Sequence, residues 1–389
     1  MKLAETRLLA SCAALALLAI ASIGGPAVAQ DVESETSDVL KLEPPRPEWA
    51  FVDGGFMVDG TAIFDTKTGK MKGMVNSSHL ADFAFDPAGK YYYVSETIWS
   101  KGNRGTRQDM VTVYDTVDLK LQTEIVMPDR ILVGERKQNF IVSDDGKWGF
   151  VYNLSPASSV NVIDFAKRKF VKTIELPGCA ALIPNSAVGF SALCSDGSMA
   201  TVTVAAAKPT IAHSAPFFSA TEDPIFENFA YDKAKQETVM MSYTGLIYTA
   251  KMGATPTISA PWSIQTAAGY ANAGQTKPLD VAWYPGGRQP MAVHRLSGKL
   301  YVLMHMGEYW SHKAPGTEIW VVDLASKKVA KRIVLHEPAG HIEVTQGKEP
   351  KIFLNDEHGN GVVLDAETGK EDHKIEGAGA GVIHVLSPA

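Results

Sequence analysis

Cysteine is scarce in this sequence: there are three in 389 residues, at positions 12, 179 and 194. Basic charge is also in short supply. Thirty-seven Lys and Arg stand against 43 Asp and Glu, a net charge of −6, which is a poor match for nucleic acid. The densest basic run, "SKKVAKR" at 326–332, crosses a turn into a strand and reads as a solvated hairpin. Long apolar runs are missing everywhere except at the start. Leu8–Ile23 follows Lys2 and Arg7 and leads to small residues at Ala27 and Ala29. That is the layout of a secretory signal over 1–29, cleaved after Ala29. The run is short for a bilayer span, and an acidic stretch follows it. "LASC" at 9–12 resembles a lipoprotein cleavage box but sits too early in the apolar region. Removing Lys2, Arg7 and Glu5 takes away one net positive charge, from −6 to −7, and the same cut removes Cys12. Cys179 and Cys194 remain. An even pair in an oxidising compartment points to one disulfide, with two buried free thiols as the alternative. A bridge closing about 15 residues stabilises a fold by ~3 kcal/mol in the chain-entropy model.

What is present is punctuation. Gly (33) and Pro (21) are plentiful, 45% of residues are hydrophobic and 21% charged. This is a globular composition suited to many short strands. The chain is too long for one ordinary core unless it is a repeat or a barrel. Repeats are there. "AIFDTKTGK", "VTVYDTVDLK", "NVIDFAKRK", "WVVDLASKK" and "VVLDAETGK" each run apolar residues into an Asp (Asp65, Asp115, Asp164, Asp323, Asp365), then a polar turn with Lys, then a second strand. An Asp at a strand end can accept hydrogen bonds from the backbone of the turn that follows. Weaker copies at 201–214 and 246–259 bring the series to seven. A second series of seven turn-then-strand segments, starting near residues 46, 88, 145, 186, 235, 297 and 349, alternates with the first. The period is about 51 residues, which suits a propeller blade. Radial repetition protects sheet edges, so a seven-bladed β-propeller is expected over 49–389. A β-sandwich array needs linkers, and none appears after residue 48. Residues 30–48 read as an acidic, extended arm. The final "AGVIHVLSPA" is a strand left over after the seventh unit, placed to close the ring on the first blade.

Chemistry is harder to find. "HEPAGH" at 336–341 has one residue too many for the zinc pattern H-E-x-x-H, and Pro338 and Gly340 oppose the helix that pattern needs. "GAGAG" at 377–381 has no helix to follow it. There is no G-x-S-x-G elbow and no phosphate-binding Walker loop. Residue chemistry alone leaves three readings open: part of a larger enzyme, a secreted binding module, or a lone propeller hydrolase of the lactonase type. The last needs carboxylates or His around the central channel, and no spacing in the sequence places them there.

Longer motifs go further. "RGTRQDMVTVYD" at 104–115 resembles the heavy subunit of the quinoprotein amine dehydrogenases, the methylamine and aromatic amine dehydrogenase family. "SPASSVNVID" (155–164), "GCAALIPNSAVGFSALCSDGSM" (178–199), "EDPIF" (222–226), "SYTGLIY" (242–248), "YPGGRQPMAVHR" (284–295) and "HKAPGTEIWVVD" (312–323) continue the likeness in order, over roughly 50–386. "DPIF", "PWS" and "HKAPGTEIWVVD" lean to the aromatic-amine branch.

The resemblance implies a periplasmic α2β2 assembly that oxidises primary amines to aldehyde and ammonia. A small, cysteine-rich light subunit carries tryptophan tryptophylquinone, and electrons leave for a blue-copper protein of the amicyanin or azurin kind. This chain would then hold no cofactor, no metal and no catalytic residue of its own. It would scaffold the light subunit and shape the substrate channel. In the family a Phe lines that channel. Aligning "GMVNSSHLADFAFDPAG" (73–89) places His79 there. Imidazole is smaller than phenyl, polar and able to take a proton, so amine preference is expected to differ; the alternative is a shifted local register that makes His79 an ordinary loop histidine. Arg104, Arg107 and Asp109 form a charge trio, expected either to buttress the subunit interface or to make a salt bridge within the chain.

Overall fold

The computed structural model describes residues 41–387, apart from 57, 129, 132, 133, 135, 205–207 and 272–274. The expected signal segment 1–29, Cys12 and the first part of the acidic arm, 30–40, lie outside the described residues.

Seven antiparallel sheets of four or five strands make a seven-bladed β-propeller. The second blade shows the plan. Its strands Asp82–Phe85, Tyr91–Trp99, Arg107–Asp115 and Leu121–Val126 pair in chain order from the axis outwards. The first blade is assembled from both ends of the described chain. Trp49–Asp53, Thr61–Asp65 and Lys70–Val75 supply three strands, and Ile383–Val385 supplies the innermost one. Phe51 pairs with His384 across that closure, as the leftover strand suggested. The turn-then-strand series supplies the second strand of every blade, and the Asp series its third and fourth strands.

The period-2 alternation of a strand is hidden where both faces are buried. All five residues of Trp49–Asp53 are buried. Phe51 points to the second blade, while Ala50 and Val52 point to the seventh. The described residues form one apolar cluster at each blade-to-blade contact, seven in all. At the first contact the Phe51 ring lies 5.8 Å from Phe83, 4.8 Å from Phe85 and 5.4 Å from Tyr92. Truncating such a side chain to Ala costs roughly 3–5 kcal/mol. Outer strands have one wet face and alternate visibly, as in Lys169–Glu175.

The recurrent Asp does what its position suggested. Asp65 Oδ1 accepts from the amides of Lys67 and Thr68, and Asp115 Oδ1 from Val117 and Asp118. Asp164 accepts from Lys167 N, Asp323 from Ser326 N and Asp365 from Thr368 N. Backbone and side-chain donors at Thr368, with Lys351 beside them, hold Asp365 down at about 2. The fifth residue of each turn is left-handed. Gly fills it at 69 and 369, but Leu119, Arg168 and Lys327 adopt φ of 54°, 51° and 56° there. The "SKKVAKR" run is a turn and an outer strand, as read. Its Arg332 lies over the rings of Trp283 and Trp320, at 4.7 and 4.8 Å, and pairs with Glu318.

Antiparallel order sorts the connections onto two faces. First-to-second and third-to-fourth strand turns share one, the turn face. Second-to-third strand loops and the blade-to-blade connections share the other, the loop face. The end of the arm is fixed beside the first two blades: Leu42 N donates to Val117 O at 2.8 Å, and Glu43 pairs with Lys72. No helix among the described residues is long and apolar enough to cross a membrane.

Candidate functional site

His79 lies on the loop face, in the connection between Lys70–Val75 and Asp82–Phe85. Its imidazole is half exposed. Nδ1 stands 3.4 Å from Asp59 Oδ1, and the ring meets Phe56 edge-on at 5.1 Å. Phe56 and Asp59 come from the neighbouring loop of the first blade.

The loop around His79 is fixed from beneath. Glu96, buried in the second blade, accepts from Ser78 N at 2.6 Å and from Thr112 Oγ1 at 2.5 Å. Burial pushes the Glu96 carboxyl above the usual range, against those hydrogen bonds. Gly60 N donates to Ser77 Oγ, and Leu80 takes a left-handed φ of 58°.

Large apolar side chains stand out of this face. Phe56 is 70% exposed, Leu279 80% and Trp310 50%, with Val58, Leu154 and Met306 also exposed. Trp310 belongs to an aromatic group in which His312 stacks on Tyr243 at 3.9 Å. The turn face instead carries the repeated Asp and Lys turns. Single exposed apolar residues are ordinary; their concentration on one face is informative.

The charge trio is split. Arg107 and Asp109 make a bidentate pair, Nε to Oδ2 at 2.7 Å and Nη2 to Oδ1 at 2.5 Å. Nη2 also donates to Ile131 O of the next blade at 3.2 Å, and the guanidinium lies over Trp99. Thr97 Oγ1 donates to Asp109 Oδ1. Arg104 is exposed on the adjoining loop, apart from the pair in the hydrogen-bond pattern.

Cys179 and Cys194 form a disulfide between directly opposed residues of the fourth blade's first hairpin. With His213 they are the one group of described residues spaced to hold a metal, but both sulfurs are already bonded to each other. The "HEPAGH" residues part company: His336 is on an outer strand of the sixth blade, while His341 is buried on the innermost strand of the seventh. Burial pulls His341 down to about 4. The "GAGAG" run carries the chain into the closing strand, and a Cβ at Gly379 would stand 2.5 Å from Asp53 O.

Sequence reasoning missed the polar groups on the axis. Asp53 and His384, both buried, pair at 3.0 Å. Lys137 pairs with Glu343. Asp144 and Arg295 line the same region. They come from different blades, so no local spacing marks them.

Fold and face together define a class: a closed seven-bladed propeller whose loop face carries exposed aromatic residues. The methylamine dehydrogenase heavy chain family matches residues 50–387, and the chain belongs to that family. It is 28% identical to the methylamine dehydrogenase heavy chain of Paracoccus versutus over 363 residues, covering 89% of this chain and 81% of that one. It is 28% identical to the Methylobacillus flagellatus heavy chain over 394 residues, covering 97% and 95%. Among solved structures, dihydro-heme d1 dehydrogenase in complex with DHE is similar at a TM-score of 0.57 and 17% identity, covering 91% and 79%. A functionally unknown protein from Desulfotomaculum acetoxidans is similar at 0.58 and 15%, covering 88% and 100%. At such identities these likenesses show the fold alone.

Proposed function

We propose that this chain is the heavy subunit of a periplasmic amine dehydrogenase, in an α2β2 assembly with a cysteine-rich light subunit that carries tryptophan tryptophylquinone. The observation that carries the reading is the match to the heavy chain family along 50–387. In the light subunit the quinone supplies a two-electron acceptor for a primary amine, which leaves as aldehyde and ammonia, with a blue-copper protein taking the electrons onward.

The chain's own residues supply a cover. Phe56, Val58 and Trp310 offer an apolar surface that excludes water from the covered pocket. His79 lines the amine channel at the edge of that cover. Asp59 and Phe56 orient its ring, and Glu96 holds its loop through Ser78. A pocket edged by imidazole instead of phenyl has more room and a hydrogen-bonding rim, which changes the ranking of amines.

The test is assembly. Tagged chain purified from its native periplasm should bring down a small cysteine-rich subunit in equal amount. Phe56→Asp should weaken that association, because a carboxylate in an apolar contact is left unpaired. Native chain that purifies alone overturns the reading.

A further inference from the structure

On the propeller axis lies a cavity of about 230 Å³. Its walls include Leu182, Ile183, Phe229 and Met291, and Lys233 and Ser387, which follow innermost strands on the turn face, line it as well. Two carboxylates reach it, and both are engaged. Glu343 accepts from Lys137 Nζ and from Gln289 Nε2 at 3.3 Å. Asp144 Oδ2 accepts from Tyr231 Oη at 2.6 Å and from Gln236 Nε2 at 2.8 Å.

Arg295 is different. Its Nε donates to Tyr231 O at 2.6 Å, and its backbone amide to Gln346 Oε1. Its Nη1 is buried and meets no acceptor. Among the described residues no carboxylate lies within 4.0 Å of the guanidinium. Glu343 and Asp232 act on it only from beyond that distance; a guanidinium withdrawn from water without a carboxylate in contact is costly, and its planar fork matches one.

We propose that this axial cavity binds a small organic monocarboxylate, its anionic end on Arg295 and its apolar body against Leu182, Ile183, Phe229 and Met291. The volume is right: engineered apolar cavities of about 150 Å³ hold benzene, so a ring with a short acid arm fits here. The single charge follows from Asp144. Glu343 is matched by Lys137, but Asp144 is held only by neutral donors and repels an anion, so a dianion such as phosphate is disfavoured. The site lies toward the face opposite His79 and does not rest on the amine dehydrogenase reading.

The experiment is a calorimetric titration of the full processed chain with four probes: phenylacetate, its neutral amide phenylacetamide, phenethylamine and inorganic phosphate. Phenylacetate should bind saturably at one per chain, with the other three at least tenfold weaker. Arg295→Gln should weaken phenylacetate at least tenfold. Because Arg295 also ties Tyr231 and that variant can fail to fold, Asp144→Asn is the second arm. Its amide oxygen still accepts from Tyr231, and with the repulsion gone phenylacetate should bind several-fold tighter and phosphate should gain more. No saturable binding of phenylacetate, equal binding of the amide, tighter binding of phosphate, or an Asp144→Asn affinity unchanged from wild type each overturns the proposal.

Discussion

Replacing Arg107 with Ala should cost this protein about 3 kcal/mol of stability. Breaking a buried pair by removing one partner typically costs about 3–5 kcal/mol, because the other charge is stranded. The stranded group is Asp109, whose side chain is 8% exposed. Two features pull the figure to the low end. Asp109 keeps the Thr97 hydroxyl, and the Arg107 side chain is 17% exposed, so water reaches the gap. The loss of the bond to Ile131 O removes one tie between the second and third blades. The double replacement Arg107→Met with Asp109→Leu strands no charge, although the Thr97 hydroxyl and the Ile131 carbonyl each lose a partner, and should cost about 1–2 kcal/mol, less than the single replacement. Urea unfolding of the disulfide-intact chain reads both, since a midpoint shift at unchanged slope reports stability. An Arg107→Ala variant within 1 kcal/mol of wild type refutes the argument. So does a double variant as damaged as the single one. Assembly with a light subunit, measured on the same variants, then separates interface from fold.

Acid should destabilise the protein partly through His341. The unfolded imidazole takes up a proton near 6.5, but the buried one holds off until about 4. This contribution is full above pH 6.5 and is lost as pH falls toward 4, by up to about 3 kcal/mol. His341→Gln should flatten that part of a Tm-against-pH curve, and an unchanged curve contradicts the assignment. His79→Phe should shift the kcat/KM ratio between short and aromatic amines in the assembled enzyme by about tenfold, the scale of one contact in an apolar pocket; an unchanged ratio removes His79 from the channel. Lys327→Gly should stabilise by about 0.5 kcal/mol, since a left-handed L-residue costs roughly 1–2 kcal/mol and glycine returns part of that as entropy. A fall in the urea midpoint would show that the Lys327 side chain contributes more than its backbone strain costs.

The second and third strands of the blades were legible in the sequence because they carry signals. The second strands follow Gly-rich turns, as at "AGKYYYV", and the third strands end on the turn-binding Asp. Apart from the closing strand near the C-terminus, the first strands were not. Residues such as Ala230–Asp232 and Met291–His294 are short, lie at the axis and carry no turn signal of their own. The axial cavity was invisible for the same reason. Arg295 and Asp144 are about 150 positions apart in the chain, and each reads locally as a turn residue, in "HRLSGK" and "SDDGK". Only ring closure brings them together. The zinc-like "HEPAGH" is the reverse case, adjacent in sequence but divided between two blades.

The most direct test of the central claim is a spectrum. Material purified from the native periplasm through this chain should show a visible quinone band that bleaches on adding a primary amine, with aldehyde and ammonia formed in equal amounts. A colourless preparation that leaves amines untouched would contradict the account, leaving the propeller fold intact and the function open to the binding-module reading.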